Sequence, residues 1–415
     1  MATKKKSPNS DPKENILVIA GEHSGDLLGA DLLAELRNLE PEFSFYGVGG
    51  EGMIHQGLES MEELERLSVI GFSEAIQKYS FLRKLFYRVL EETKIRKPKL
   101  AILIDYPGFN LRLAKELKKI GIHSVFYVSP QIWAWKFKRI FFIKEHIALM
   151  LTLFKFEETI YLEYGVNAKF VGHPITKRIP EKLKKEPQIT ELLQKKESTF
   201  VVGLLPGSRK GEIRKLLKPI LETALLLHQK FVEEKKKIIF LLPNINAKEE
   251  KYILEEIQKV KNSDPEIQIH YLWNASLRVM SESDLLLIAS GTATLEGLYF
   301  ETPMVILYKV SLFTYFLGSL LMRSKYIGLA NILSSQEVAR ELTQNECRPE
   351  YIFAEAYQIL TNKKLNQKIK LILHETKERE LGTTNGSKKA AKEIQNLLRS
   401  HSNEPNHTVL PSSNP

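Results

Sequence analysis

One cysteine, Cys347, stands among 415 residues. A lone thiol makes no disulfide within the chain and cannot build a zinc cluster, so a secreted disulfide framework is excluded and a reducing compartment fits. The most apolar stretch, residues 305–322, is interrupted by Lys309 and barely reaches the roughly 20 residues a spanning helix needs. It reads as a strand followed by a surface-seeking helix. The flexible basic segment 1–14 carries no apolar core of signal-peptide length, so nothing in it directs export. Also missing are G-x-G-x-x-G spacing, a Walker A lysine at the required distance, clustered metal ligands and any repeat of solenoid length. These absences set aside dinucleotide, P-loop, metal-centred and repeat classes.

What the chain has is ordinary globular composition, 43% hydrophobic and 27% charged, with 60 Lys and Arg against 50 Asp and Glu. The resulting charge of +10 favours anionic partners without choosing among phosphates, acidic lipid and nucleic acid. Its length predicts two domains.

Apolar β-rich runs at 16–20, 43–48, 100–104, 124–128, 148–154 and 169–171 alternate with helical patterns. Leu28, Leu32, Leu36 and Leu39 mark one helix face, and 111–119 form a second helix that Gly121 ends. Residues 181–198 turn polar and read as a linker. A second series of strands follows at 201–205, 238–242, 267–272, 285–289 and 304–308. Strand–helix alternation means parallel sheets covered on both faces. The expected organisation is a domain at 15–180, a second at 199–334, helices over 335–399, and a disordered polar tail at 400–415.

Five segments have residue types suited to chemistry. Ala20-Gly-Glu-His-Ser-Gly-Asp26 is a glycine loop between strand and helix, able to hold an anion, or simply a tight turn with Asp26 as N-cap. Ile104-Asp-Tyr-Pro-Gly-Phe-Asn110 puts Asp105 at the carboxyl end of a strand, where it serves as a general base or as a turn cap. Tyr127-Val-Ser-Pro-Gln-Ile-Trp-Ala-Trp135 sets two tryptophans beside Lys136, Lys138 and Arg139, suiting a sugar or phosphate, or else packing on the sheet. Leu205-Pro-Gly-Ser-Arg-Lys-Gly-Glu212 joins a glycine turn, a hydroxyl and an arginine fork fit for phosphate. Ala289-Ser-Gly-Thr-Ala-Thr-Leu-Glu296 lets a backbone approach closely and places Glu296 within reach of ribose hydroxyls, or is a packed helix start capped by Ser290.

In this order, and together with Gly47-Val-Gly-Gly50, Leu67-Ser-Val-Ile-Gly71, Phe170-Val-Gly-His-Pro174 and Leu329-Ala-Asn-Ile-Leu333, these segments resemble the lipid-A-disaccharide synthase family over about residues 15–380. The resemblance implies a GT-B fold, α/β, with two Rossmann-like doubly wound domains facing across a cleft. It implies an inverting transfer of diacylglucosamine from its UDP derivative to the 6-hydroxyl of diacylglucosamine 1-phosphate, a step of lipid A (lipopolysaccharide) biosynthesis. No metal or organic cofactor and no nucleic acid partner is expected.

By matching position, Asp105 would be the catalytic carboxylate. Gly207, Ser208, Arg209, Ser290, Gly291, Thr292, Glu296 and Asn331 would hold UDP. Glu22, Ser24, Gly25, Asp26, Asn110, Trp133 and His173 would lie on the acceptor side. The family often has a second aspartate where this chain has Gly108, which leaves Asp105 to carry more of the work.

Acylated substrates require approach to a bilayer, so a cytoplasmic enzyme on the inner-membrane surface is expected. Phe72, Phe81, Leu82, Arg83, Lys84, Leu85, Phe86 and Arg88 are the candidate contacts, unless that helix merely packs on its sheet. A homodimer is compatible with the resemblance. The rival readings are another GT-B enzyme, either a transferase with a lipid-linked acceptor or a UDP-sugar 2-epimerase, and a non-catalytic binder of anionic membrane or nucleic acid.

Overall fold

The computed structural model describes residues 14–68, 75–186, 189, 199–310, 324–383 and 385–402. The chain divides into two compact units: residues 1–132, 136–174 and 383–415 form the first, 133–135 and 175–382 the second.

Among the described residues the first unit holds a parallel sheet of β1 (Glu14–Ala20), β2 (Phe43–Val48), β3 (Leu58–Ser60), β4 (Leu100–Ile104), β5 (Ser124–Tyr127), β6 (Leu149–Thr152) and β7 (Ala168–Phe170). Their spatial order is β3-β2-β1-β4-β5-β6-β7. The second unit repeats the pattern with β8 (Thr199–Leu205), β9 (Lys237–Asn244), β10 (Ile269–Trp273), β11 (Leu285–Ala289), β12 (Met304–Tyr308) and β13 (Glu341–Thr343). Its order is β10-β9-β8-β11-β12-β13. Both sheets therefore reverse direction beside their first strand, between β1 and β4 and between β8 and β11. The crevice beyond the carboxyl ends at such a reversal is where open α/β sheets bind ligands.

The strands are continuous apolar runs because both faces are covered. Leu17 and Ile19 of β1 join Leu103 of β4 in one core cluster, while Ile16 and Val18 join Ile102 and Ile104 in the cluster on the other face. This is the period of two that a pleated strand imposes. The helix His23–Leu39 buries Leu28, Leu32 and Leu36 on one side. The helix Pro107–Lys119 begins with proline at its first turn, buries Leu113, Ala114 and Leu117, and stops at Gly121, whose φ is +80°. A first-turn proline loses no intrahelical bond, and a left-handed stop favours glycine.

Three features depart from the sequence expectation. The strands β3 and β13 are three residues each, too short for an alternation to register, and β13 interrupts the segment expected to be helical from 335 onward. The last helix, Gly386–Ser402, does not belong with the helices before it: Ala390, Ala391 and Ile394 are buried in the core of the first unit. It extends through 400–402, where the tail was expected to begin. Finally, part of the expected linker is ordered, since the helix Ile175–Leu183 is prolonged by turn bonds from Lys185 N to Lys182 O at 2.9 Å and from Glu186 N to Leu183 O at 3.3 Å. The surface-seeking helix expected after β12 lies outside the described residues.

Candidate functional site

In the second unit, the carboxyl ends of β8 and β11 open into a cavity of about 560 Å³. The loop after β8 supplies Gly207, Ser208 and Arg209, and the loop after β11 supplies Ser290, Gly291, Thr292 and, one turn into the next helix, Glu296. Gly207 has φ +106°, and a Cβ there would lie 2.5 Å from Glu212 Oε2, so any other residue would strain the turn and displace Glu212. Ser208 is fixed from behind, its carbonyl accepting from Asn246 Nδ2 at 2.9 Å.

Arg209 is extended and precedes the 24-residue helix Lys210–Glu233. Its backbone N–H donates to Glu212 Oε2 at 3.3 Å, and its side chain, 85% exposed, pairs through Nη1 with Glu212 Oε1 at 3.4 Å. A long helix whose first residues border a cavity, with a guanidinium beside it, is suited to an anion. Burial holds the Glu296 carboxyl above the usual range; Lys182 opposes this and Glu186 adds to it.

Seven of the eight expected donor-side residues thus line one cavity. Asn331 does not. It is fully buried; its amide donates to Ala339 O at 2.6 Å and Glu341 Oε1 at 2.8 Å, and its Oδ1 accepts from Val338 N and Ala339 N, both at 2.9 Å. Every bonding position of the side chain is used within the chain, so Asn331 is a structural tie and not a ligand contact. Conversely, the cavity also includes Lys182, Lys185 and Glu186, which the sequence reading assigns to a linker because a dense run of charge resembles one.

In the first unit, β4 delivers Asp105 to the same kind of sheet reversal. Asp105 and Tyr106 both have φ +49°, an uncommon left-handed pair of non-glycine residues. The bend is secured by Asp105 N donating to Tyr127 O at 2.8 Å and by Asn110, whose amide donates to Asp105 O at 2.8 Å and Ile104 O at 3.2 Å. Tyr106 covers Gly21 so closely that a Cβ on Gly21 would meet the ring at 2.5 Å. The Asp105 carboxyl is raised above its ordinary pKa, first by burial and then by the charge of Glu22, against the backbone N–H of Tyr106. A carboxylate destabilised in its charged form gains more from taking a proton.

Of the acceptor-side candidates, Glu22 and Ser24 are exposed and Gly25 is buried at the base of their loop. Asp26 is corrected: it is 2% exposed and neither caps its own helix nor faces solvent. Its carboxylate accepts from Gly50 N at 2.8 Å, Gly52 N at 3.0 Å and Met53 N at 3.0 Å, satisfying the free donors at the start of the helix Glu51–His55. Asn110 is likewise buried, and its amide nitrogen shapes the backbone at Asp105. His173 is half-buried and stacks on Phe154 at 4.9 Å. Trp133, expected in the first domain, groups with the second unit.

The candidate membrane helix is Ala75–Arg96. Leu85 is only 3% exposed, so it belongs to the core and cannot contact lipid. Phe81, Leu82 and Phe86 are half-buried against that core, Phe86 lying edge-on to Phe109 at 5.6 Å. Arg83, Lys84 and Arg88 are exposed. Phe72 lies outside the described residues. Among the described residues, no helix is long and apolar enough to cross a membrane.

Comparison with known proteins agrees with the two-sheet fold. Among solved structures, the chain resembles a UDP-GlcNAc 2-epimerase from Neisseria meningitidis bound to UDP-GlcNAc, with TM-score 0.57 and 11% identity over 92% of this chain and 100% of that one. It also resembles Acinetobacter baumannii MurG, with TM-score 0.53 and 12% identity over 92% and 99%. At such identity the likeness is one of fold, GT-B. Sequence relatives say more. The chain is 36% identical to the lipid-A-disaccharide synthase of Coxiella burnetii over 93% of its own length and 99% of that protein's, and 36% identical to that of Vibrio parahaemolyticus over 83% and 88%. The family model described as lipid-A-disaccharide synthetase matches residues 16–395, a span that takes in both strand reversals and most of the final helix, and the chain belongs to that family.

Proposed function

We propose that the chain condenses UDP-2,3-diacylglucosamine with 2,3-diacylglucosamine 1-phosphate, giving the β-1,6-linked disaccharide 1-phosphate and UDP. The observation that carries this reading is the position of the motif residues: Asp105 at the reversal of one sheet, and seven residues suited to a nucleotide around one cavity at the reversal of the other.

In the reaction, Asp105 takes the proton from the acceptor's 6-hydroxyl as that oxygen bonds to the anomeric carbon of the donor. The bond from this carbon to the diphosphate breaks from the opposite face, inverting the centre, and both electrons leave on UDP. Negative charge then grows on the diphosphate. Arg209 and the N-terminus of Lys210–Glu233 stabilise it, and donors preorganised where charge develops lower the barrier. Glu296 accepts ribose hydroxyls. The enzyme works at the cytoplasmic face of the inner membrane, where the exposed Arg83, Lys84 and Arg88 meet anionic headgroups.

The reading is tested by incubating the purified protein with both lipid substrates and identifying the product by mass spectrometry and linkage analysis. A β-1,6 disaccharide 1-phosphate is the expected product. Epimerised donor with no disaccharide would contradict the proposal.

A further inference from the structure

We propose that Lys182 and Lys185 are further ligands for the diphosphate of the nucleotide sugar, an inference that rests on the second unit's cavity being the donor site. Lys182, Lys185 and Glu186 stand at positions i, i+3 and i+4 of one helical stretch, which places them on one side, and all three line the cavity. Glu181 and Lys184 are not among its lining residues.

The stretch is held in place. Glu186 Oε2 accepts from Arg278 N at 2.7 Å and its Oε1 from Leu277 N at 3.2 Å, so its carboxylate occupies the donors at the start of the helix Ser276–Glu282. Arg278 returns a bond to Leu183 O at 3.0 Å. Glu186 is therefore a positioning residue, fixing the two lysines at the cavity wall.

Charge in the cavity points the same way. Lys182, Lys185 and Arg209 face Glu186, Glu212 and Glu296. Glu186 is committed to backbone donors, Glu212 accepts from Arg209 N at 3.3 Å and pairs with the Arg209 guanidinium at 3.4 Å, and burial disfavours the charged form of Glu296. An incoming diphosphate therefore meets two lysines whose neighbour Glu186 is tied to backbone donors, and an arginine whose partner in the cavity is Glu212, in a long, exposed pair. Ammonium groups on flexible stems suit phosphate as point charges, complementing the planar fork of Arg209.

Titration calorimetry with UDP and with uridine, on wild type, Lys182→Met, Lys185→Met and Glu186→Ala, tests this. Each lysine variant should weaken UDP roughly tenfold, the usual effect of losing one charge-assisted bond, with uridine affinity unchanged. Glu186→Ala should lower the ratio of UDP to uridine affinity, which a loss of stability alone would not do. Unchanged UDP affinity in both lysine variants overturns the proposal, even if KM for the acceptor phosphate rises, since that would assign the lysines to the other substrate. Equal loss of UDP and uridine overturns it too, because the pocket and not the phosphate contact would have been damaged. A wild-type protein that ignores UDP removes the donor reading itself.

Discussion

The side-chain amide of Asn110 donates to the carbonyl of Asp105 at 2.8 Å, five residues back along the chain. The same nitrogen also reaches Ile104 O. One buried amide thus spans the point where β4 turns into two left-handed residues, and the direction of the Asp105 carboxylate depends on it. Asn110→Ala takes this donor from both carbonyls and should cost about 2 kcal/mol of stability. If the bend orients the base, kcat should fall more than KM rises. Urea unfolding and steady-state kinetics check the two parts separately.

Asp105 has its pKa raised by burial and by Glu22, so its proton-accepting form is lost as pH falls through that raised value. The acidic limb of kcat/KM should therefore lie above the ordinary carboxylate range. Glu22→Gln removes one of the two causes and leaves the other, so it should move the limb part of the way down. A limb unmoved in Glu22→Gln would mean that another group titrates.

Glu296 obeys the same sign. Its proposed role as acceptor for ribose hydroxyls favours the carboxylate form, which is present above its raised pKa and lost below it. UDP affinity should decline on acidification, and Glu296→Gln should flatten that dependence. Lys182 works against the rise, so Lys182→Met should shift the decline to higher pH. Calorimetry from about pH 4 to about pH 8, a range that starts near the ordinary glutamate value of about 4.3 and runs above it, measures all three.

Gly207 leaves no room for a side chain: its φ is +106° and Glu212 Oε2 lies 2.5 Å from where a Cβ would stand. Gly207→Ala must displace Glu212 and strain the backbone, at a cost of about 2 kcal/mol. The loop carrying Ser208 and Arg209 should shift with it. Thermal unfolding and UDP binding should both weaken.

Much of this was legible in the residues. Strands β1, β4, β8 and β11 are apolar runs, met at once by Gly21 and Asp105 or one residue later by Gly207 and Gly291, so the four loops at the two sheet reversals stand out as strand ends. Side-chain partners do not stand out in this way. Asp26 follows a glycine loop and looks like a ligand, but only the fold brings Gly50, Gly52 and Met53 to its carboxylate. Asn331, assigned to UDP by the family resemblance alone, looks like a contact until Val338, Ala339 and Glu341 enclose it. Lys182 and Lys185 sit in a run of charge whose composition is that of a linker; the bond from Glu186 to a helix 92 residues away is what orders it. The final helix carries Ala390 and Ile394, residues that suit any core, so its return to the first unit is set by the tertiary structure alone.

Asp26 itself yields a contrasting expectation. Asp26→Ala strips three backbone donors of their acceptor and should cost about 3 kcal/mol, charge-assisted bonds to buried donors being among the stronger ones. The loss should appear as a lowered Tm, with the shape of the pH–rate profile unaltered.

The central claim is that Asp105 is the base of an acceptor-dependent sugar transfer. The most direct test is UDP release from UDP-diacylglucosamine, with and without diacylglucosamine 1-phosphate, by wild type and Asp105→Asn. Release that requires the acceptor in wild type and collapses in a folded Asp105→Asn variant is the predicted result. Near-wild-type turnover by that variant would contradict it and reduce Asp105 to the left-handed hinge at the end of β4.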